Sequence, residues 1–350
     1  YENHLFLFGN GDPTFLHVDY KSHPVFNFLK TLDKSNKSVF LGSGAWQDLA
    51  LGSGWAWNDY DADYMAERSI FPIYGNVVTF SGKAGNIEVS PNYFHSYVDQ
   101  FSTPGSFLSR VERLHFANQF KTFAYGAAAR SVQVPFITSD TLLFRLLRDT
   151  LQIKKDFALP GSPPPVMGGI ERLIRKYVIH SQPTDSLLKP MMHRSDNFFA
   201  EQSLLMVSNE LLDVMNDAKI IDTLLKTDFR DLPQKPRWVD GSGLSRYNLF
   251  TPQDFVFILN KMKSDFGMDR IKNILPTGNE GTLAGRFKAD SNFIFAKTGT
   301  LSGVVSLSGF LYTTKNRLLI FSVLVNNQNG SATPIRRAVE KFIEGLRSKY

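Results

Sequence analysis

The sequence predicts a mixed α/β (α+β) protein in which a domain with an antiparallel sheet is combined with β-rich material. Its 350 residues exceed what one hydrophobic core usually organises, so we expect two domains, or one domain with a large insertion. Residues 1 to about 130 are rich in glycine, aromatic residues and short apolar runs broken by turn signals, which is typical of β-structure. The last stretch of the chain has the pattern of three strands followed by an amphipathic helix.

Local signals place several elements of the second half. Ser139 and Asp140 are good N-caps for a helix whose leucines form one apolar face. A proline-rich connector follows at 160–165, and a second helix begins just after Ser195. The three terminal strands, antiparallel because their connections are short, and the closing helix are predicted at 293–298, 304–312, 318–325 and from Pro334.

Composition excludes some functions. Hydrophobic residues make up 43% and charged residues 21%, and no window approaches eighteen uninterrupted apolar residues, which excludes a spanning helix. The Lys and Arg residues behind the net charge of +6 are scattered, with no run of five or six like charges, so nucleic-acid binding is not predicted. An anionic polymer such as cell wall suits a mildly basic surface equally well.

Reactive thiols and metal ligands are not indicated. The chain contains no cysteine, which excludes disulfides, thiolate metal sites and cysteine nucleophiles. Its seven histidines show no ligand spacing with carboxylates, so neither a catalytic metal nor another cofactor is predicted. The chain begins at Tyr1 rather than Met and shows no signal segment, so we expect it to be processed or cut from something longer.

Two short motifs carry the chemistry. Ser195-Asp196-Asn197 stands at the start of a predicted helix, and Lys297-Thr298-Gly299-Thr300 ends a predicted strand about a hundred residues later. Each motif alone has a purely structural interpretation: a helix cap for the first, and a hairpin edge with a solvated lysine for the second. Order, spacing and context favour a functional interpretation, because the second motif falls on the first of three antiparallel strands.

Together these motifs resemble those of the D-alanyl-D-alanine carboxypeptidases of the penicillin-binding protein 4 type, a serine peptidase family with S-x-x-K, S-x-N and K-T-G motifs. The resemblance implies a penicillin-binding transpeptidase/β-lactamase-like domain with an antiparallel sheet and one or two inserted β-rich domains. On that template 1–130 is mostly insertion, and 131–350 is the C-terminal part of the catalytic domain. Further segments similar to family signatures lie at 11–14, 54–59, 240–246, 278–283 and 296–303.

The resemblance implies a role for each site residue. Ser195 Oγ would relay a proton between the S-x-x-K lysine and the leaving amine, and Asn197 would hold the substrate's amide carbonyl. Lys297 would supply positive charge to the hydrogen-bond network and to the substrate carboxylate. The hydroxyls of Thr298 and Thr300 would bind that carboxylate, and the Thr300 N–H would form half of the oxyanion hole. The implied substrate-binding segment is Thr298, Gly299 and Thr300.

The nucleophile is expected upstream of this chain. In the family the S-x-x-K segment precedes the marker found here at 11–14, so the serine and its lysine should lie before Tyr1. The one S-x-x-K string present is Ser186-Leu187-Leu188-Lys189, which aligns with a segment that is not catalytic in the family. A match to so loose a pattern is expected by chance.

The resemblance implies a serine-type D-Ala-D-Ala carboxypeptidase that acts on peptidoglycan stem peptides through an acyl-enzyme and is blocked by β-lactams. The resemblance leaves open whether the protein is also an endopeptidase. Turnover is expected of the complete protein rather than of this chain alone. The implied location is the cell envelope, periplasmic where there is an outer membrane. The alternative is a binding module that lacks the nucleophile and recognises wall peptides or another envelope protein.

Two features of the sequence each allow two interpretations. The glycine-containing stretch at 240–246 is either a tight turn that supports the site or a direct contributor to it. Trp55 and Trp57 either stack on sugar rings or belong to the hydrophobic core.

Overall fold

The computed structural model describes residues 4–32, 38–42, 45–152 and 177–350. These residues divide into two compact units, one drawn from 1–182 and 201–217 and the other from 183–200 and 218–350. The predicted mixed α/β class with antiparallel sheets is confirmed. The assignment of 1–130 to insertion and of 131–350 to the catalytic domain stays a prediction. The connector predicted at 160–165 lies outside the described residues.

In its described residues the first unit contains short strands and two complete α-helices, together with most of a third, at 201–212. In chain order the strands and the two complete helices are β1 (His4–Phe8), α1 (Pro24–Leu32), β2 (Ser38–Gly42), β3 (Val77–Lys83), β4 (Asn86–Ser90), β5 (Val98–Ser102), β6 (Arg110–Arg113), β7 (Phe120–Ala124), β8 (Val132–Pro135) and α2 (Asp140–Leu151). Strands β1 and β2 pair in parallel, and β3 lies between β4 and β8 in an antiparallel sheet. Strand β7 pairs in parallel with β5 and antiparallel with β6. The β-rich prediction for this half is confirmed.

Helix α2 closes the core of the first unit. Its N-cap is the predicted one, since the Ser139 side chain accepts a hydrogen bond from the Leu142 N–H at 3.1 Å. The predicted leucine face is buried and packs with Phe80, Phe94 and Phe120 in one cluster. Burying each large apolar side chain contributes about 1.5–3 kcal/mol, so this face fixes the helix on the sheets.

A buried arginine links distant segments of the first unit. Arg68 is 1% exposed and lies 3.0 Å from Asp48, 3.4 Å from Glu201 and 2.7 Å from Asp217, with one oxygen–nitrogen contact to each carboxylate. Burial, the largest influence, raises the pKa of Asp48, while the Arg68 charge acts in the opposite direction. One guanidinium therefore serves as the shared cation of three carboxylates, and its charge offsets only part of the cost of burying Asp48.

The two tryptophans of segment 54–59 differ in exposure. Trp57 is 76% exposed, so the core interpretation is wrong for this residue. Its ring lies 6.2 Å from that of His115, in an edge arrangement. Trp55 is half-buried and lies 5.7 Å from the Arg68 guanidinium. Stacking of either tryptophan on sugar rings stays a hypothesis.

The second unit carries the predicted sheet and the chemistry-bearing motifs. Its helices and strands, with α4 and α5 crossing the division between the units, are α3 (Thr184–Arg194), α4 (Asn197–Leu212), α5 (Asp217–Lys226), α6 (Pro252–Ile274), β9 (Ile294–Leu301), β10 (Val304–Tyr312), β11 (Leu318–Val325) and α7 (Ala332–Lys349). The strand order is β11-β10-β9, and both pairs are antiparallel, as predicted.

Helix α7 covers one face of this sheet. It begins two residues before the predicted Pro334, because the Ser331 side chain caps it by accepting from the Thr333 N–H at 3.2 Å. Val339 and Ile343 of α7 are buried in one cluster with Leu307 of β10. In the described ranges no helix combines the length and hydrophobicity that a bilayer crossing requires.

Candidate active site

The two predicted motifs meet in space. Lys297 Nζ donates a hydrogen bond to Ser195 Oγ at 2.7 Å, across 102 residues of sequence. Lys297 Nζ also donates to the carbonyl oxygen of Thr298 at 2.6 Å. Lys297 of β9 therefore connects the end of α3 to the backbone of its own strand. The Ser195 hydroxyl and the Lys297 ammonium lie side by side.

Ser195 is held in an unusual backbone conformation. It is the C-cap of α3, with φ 60° and ψ 51°, in the left-handed region that residues other than glycine rarely adopt. The next helix is capped by Asp196, whose side chain accepts from the Phe199 N–H at 3.0 Å. Because Asp196 supplies the cap, the Ser195 hydroxyl is left for Lys297. The motif is therefore more than a helix cap.

Asn197 stands directly beyond this cap. It is the first residue of α4 and is half-buried, two positions after Ser195. Its backbone position is fixed by the helix, which starts at a defined place because Asp196 caps it. The predicted S-x-N triplet thus forms the junction between α3 and α4.

The side chain of Lys297 is partly buried. Burial lowers the pKa of Lys297 from 10.5 to about 8, because the charged form loses hydration. Among the described residues no carboxylate lies within 4.0 Å of its Nζ. Lys297 is half-buried and hydrogen-bonded to Ser195 rather than simply solvated, and the site holds a cation without a counterion in the part of the chain that the structure describes.

The outer edge of β9 presents backbone donors. The Ala296 N–H donates to the Pro276 carbonyl at 3.1 Å, so it points away from β10. Because N–H directions alternate along a strand, the N–H groups of Thr298 and Thr300 point to the same outer edge. Gly299 pairs with Ser306 of β10, and a Cβ on Gly299 would collide with Ser306 Oγ. The Thr300 N–H therefore points outward from the sheet, and its role as an oxyanion donor stays a prediction.

Sequence reasoning missed Arg336 as a neighbour of this edge. One guanidinium nitrogen of Arg336, on α7, donates to Thr300 Oγ1 at 3.0 Å. Thr300 itself is exposed. The only sequence signal was the position of Arg336 early in a helix predicted to cover the sheet.

The segment 240–246 is a tight turn beneath the hairpin. Asp240 is 2% exposed, and its carboxylate accepts from Gly243 N at 2.8 Å, Ser245 N at 2.5 Å and Asn248 Nδ2 at 2.7 Å. Gly243 has φ +83°, which glycine adopts without strain. Arg246 then donates to the Ser302 carbonyl at 3.2 Å, in the turn between β9 and β10. The segment forms the tight turn that its glycines predict, and its role in supporting the site stays a prediction.

The segment 278–283 supports the other side of the site. A Cβ on Gly281 would lie 2.5 Å from the carbonyl oxygen of His193, the second residue before Ser195. Gly281 has φ +50°, so both the close approach and the backbone conformation favour glycine here. The end of α3, and with it Ser195, is thereby fixed.

The other S-x-x-K string lies apart from these groups. Ser186 is in the first turn of α3, where its N–H donates to the Pro183 carbonyl at 2.9 Å. Lys189 Nζ is 3.5 Å from Asn273 Oδ1 on α6. Within the described residues no group of three or more His, Asp or Glu side chains is arranged to hold a metal ion.

The geometry and the fold define a class. Ser195-Asp196-Asn197 and Lys297-Thr298-Gly299 match the S-D-N and K-T-G motifs of penicillin-binding proteins and class A β-lactamases. The fold matches the crystal structure of penicillin binding protein 4 from Haemophilus influenzae with a TM-score of 0.73, over 99% of this chain and 82% of that one, at 20% identity. A second structure of that protein, complexed with a β-lactam, matches with a TM-score of 0.67.

Sequence comparison gives the family. Residues 171–346 match the D-Ala-D-Ala carboxypeptidase 3 (S13) family, and the chain belongs to it. The D-alanyl-D-alanine carboxypeptidase DacB of Haemophilus influenzae is 22% identical over 337 residues, which cover 84% of this chain and 66% of that protein. A D-alanyl-D-alanine carboxypeptidase of Actinomadura is 39% identical over 101 residues, 27% of this chain and 19% of that protein. The chain thus spans less than two thirds of the length of these relatives.

Proposed function

We propose that this chain is the larger part of a serine-type D-Ala-D-Ala carboxypeptidase that acts on peptidoglycan stem peptides through an acyl-enzyme and is inhibited by β-lactams. The observation that carries the proposal is the 2.7 Å hydrogen bond between Lys297 Nζ and Ser195 Oγ. Cleavage of cross-linked peptides is a second reaction that the same site supports, because it breaks the same kind of bond. A peptidoglycan substrate places the protein outside the cytoplasm, in the cell envelope.

The proposed reaction is an acyl transfer in two steps. A serine hydroxyl attacks the carbonyl carbon of the penultimate D-alanine, and the bond to the terminal D-alanine nitrogen breaks. The hydroxyl proton passes to the adjacent lysine of S-x-x-K and, through Ser195 Oγ, to the leaving amine. Water then hydrolyses the ester. The outer-edge N–H of Thr300 stabilises the negative charge on the carbonyl oxygen in both steps.

The remaining site residues bind the substrate in this proposal. Asn197 donates to the amide carbonyl that precedes the scissile bond. Lys297 and the hydroxyls of Thr298 and Thr300 take the free carboxylate, while Gly299 lets β9 and β10 approach closely. The positive charge of Lys297 lowers the electrostatic cost of bringing this anion into the site.

The nucleophile is proposed to lie outside these 350 residues. Ser186 and Lys189 are the only internal candidates by motif, and Lys189 has its neighbour in Asn273 rather than in a site group. A second candidate function is a binding module without turnover. The described site contains one hydroxyl–lysine pair, whereas the proposed reaction needs two.

Measuring the intact mass of the protein after exposure to a penicillin should distinguish these two functions. We expect the protein extended upstream of Tyr1 in its own reading frame to gain the mass of one penicillin, because the extension supplies the S-x-x-K serine. The 350-residue chain should gain none. Extended protein with the upstream serine changed to alanine is the control. An adduct on the 350-residue chain would place the nucleophile within it, and no adduct on either would favour the binding module.

The pH dependence of acylation should follow Lys297. Its pKa in the folded protein is lowered to about 8, so the ammonium is present below that pH and is lost above it. Because the charge is needed for the substrate carboxylate, kcat/KM for the extended protein should fall roughly tenfold per pH unit above that pKa. The corresponding fall in kcat should occur at higher pH, because a bound substrate carboxylate favours the charged form of Lys297. A kcat/KM that stays level up to about pH 10 contradicts this assignment.

A further inference from the structure

The guanidinium of Arg336 is oriented toward the substrate side of the site. It reaches across from α7 to donate to Thr300 Oγ1 at 3.0 Å, although the two residues lie on different elements. Arg336 is half-buried, whereas its neighbour Arg337 is exposed. An arginine side chain held by a hydrogen bond in a partly buried position is already ordered before a ligand arrives.

The charge of Arg336 has no carboxylate partner within 4.0 Å among the described residues. Glu340, one turn further along α7, is engaged elsewhere. Its carboxylate accepts from the Phe287 N–H at 2.6 Å and lies 3.8 Å from Arg286. Arg336 therefore adds an uncompensated positive charge beside the end of β9.

The hydrogen bond also sets the direction of the Thr300 hydroxyl proton. Because Arg336 donates to Thr300 Oγ1, it occupies an acceptor position of that oxygen, and the O–H proton must point elsewhere. Thr300 is exposed, so the proton is available to a ligand. A donor hydroxyl backed by a cation fits an anion and is a poor match for a neutral acceptor.

We propose that Arg336 is a positioning and specificity residue that makes this site select ligands ending in a free carboxylate. It orients the Thr300 hydroxyl as a donor and adds a positive charge to that of Lys297. This inference rests on the proposed function, in which Thr300 binds the C-terminal carboxylate. It adds a residue of α7, outside all the motif segments, to the recognition of that group.

The test compares two substrates on the extended protein. One is an acylated peptide ending in D-Ala-D-Ala with a free carboxylate, and the other is the same peptide with a C-terminal amide. Arg336→Gln should lower kcat/KM for the acid by about 10- to 100-fold, the value of a hydrogen bond to a charged group, chiefly through KM. The amide should change by less than about threefold, because it carries no charge for the guanidinium to recognise.

Three further variants isolate the mechanism. Arg336→Lys keeps the charge and should recover part of the acid preference. Arg337→Gln removes an exposed charge from the same helix and should leave the preference unchanged. Thr300→Val should lower the acid rate, and adding Arg336→Gln to it should cost less than in the wild type, because the two residues act through one hydrogen bond.

The outcomes separate this inference from the proposed function. Wild-type protein that releases no D-alanine from the acid peptide overturns the proposed function. Wild-type turnover with equal losses for acid and amide in Arg336→Gln overturns the role of Arg336 alone, and so does full additivity with Thr300→Val. Added salt should also reduce the preference for the acid over the amide peptide more in the wild type than in Arg336→Gln. Both proteins are active in this comparison.

Discussion

Lys297→Met should reduce the rate of acylation of the extended protein by penicillin by about 100- to 1000-fold, the usual consequence of removing one preorganised donor from such a site. Methionine keeps the apolar stem and the approximate volume but cannot donate to Ser195 Oγ or to the Thr298 carbonyl, the two acceptors that the ammonium now serves. Loss of the ammonium also removes the charge for the substrate carboxylate. Stopped-flow measurement with a chromogenic β-lactam gives the rate constant directly.

Unfolding should not explain this loss. The pKa of Lys297 is lowered to about 8, which means that burial disfavours its charged form at neutral pH. Replacing it with an apolar side chain should therefore leave the free energy of unfolding unchanged or raise it. Lys315→Met is the matched control, because Lys315 is exposed and, among the residues that the structure describes, its Nζ donates to the Lys349 carbonyl alone, at 3.1 Å. Acylation of Lys297→Met within threefold of the control would refute the role of Lys297.

The terminal sheet shows what the sequence is able to predict. The three strands and their antiparallel pairing were predictable because each is a short apolar run joined to the next by a tight turn. The predicted first strand at 293–298 ends three residues early, since β9 continues to Leu301 through the Lys-Thr-Gly motif. Polar and glycine residues at the strand end hide this continuation from a hydrophobicity pattern.

The first unit shows which features local sequence patterns do not predict. A β-rich segment was predicted, but the parallel pairs β1–β2 and β5–β7 join strands that are not consecutive hairpin partners. Periodicity within a strand carries no information about which distant strand lies beside it. Exposure of Trp57 was also misjudged by the core interpretation, because tryptophan is usually buried on average and local sequence does not report burial.

The candidate site also contains some features that the sequence predicts and others that it does not. Ser195, Asn197 and Lys297 were found because the motif types and their order resemble a family, and the structure brings Ser195 and Lys297 into contact. The left-handed backbone of Ser195 and the contact of Arg336 with Thr300 were not predictable. Both depend on packing between elements that are distant in sequence.

Arg68 carries the second large expected effect, on stability rather than on activity. Arg68→Met should lower the free energy of unfolding by about 3–5 kcal/mol at neutral pH, because removing one partner leaves buried charges without compensation. Three carboxylates, those of Asp48, Glu201 and Asp217, lose their cation. Urea titration followed by tryptophan fluorescence suits this measurement, since Trp55 lies 5.7 Å from the guanidinium.

The loss should depend on pH in a defined direction. Burial already raises the pKa of Asp48 against the attraction of Arg68, and without Arg68 that pKa should rise further. A carboxyl whose pKa is higher in the folded than in the unfolded state loses stability as the pH rises through that interval. Arg68→Met should therefore approach the wild type as the pH falls toward the ordinary pKa of an aspartate, and depart further from it at neutral pH.

Arg113→Met distinguishes this electrostatic account from a simple loss of packing. Arg113 is also buried, at 4% exposure, but its hydrogen bonds go to the carbonyl oxygens of Tyr60, Leu114 and His115. Its removal should also destabilise the first unit, because carbonyl groups lose donors, yet the loss should depend less on pH than that of Arg68→Met, because Glu67 and Asp61 act on Arg113 only through their charge and no carboxylate is hydrogen-bonded to it among the described residues. Equal pH dependence in the two variants would show that the three carboxylates do not require Arg68 as their counterion.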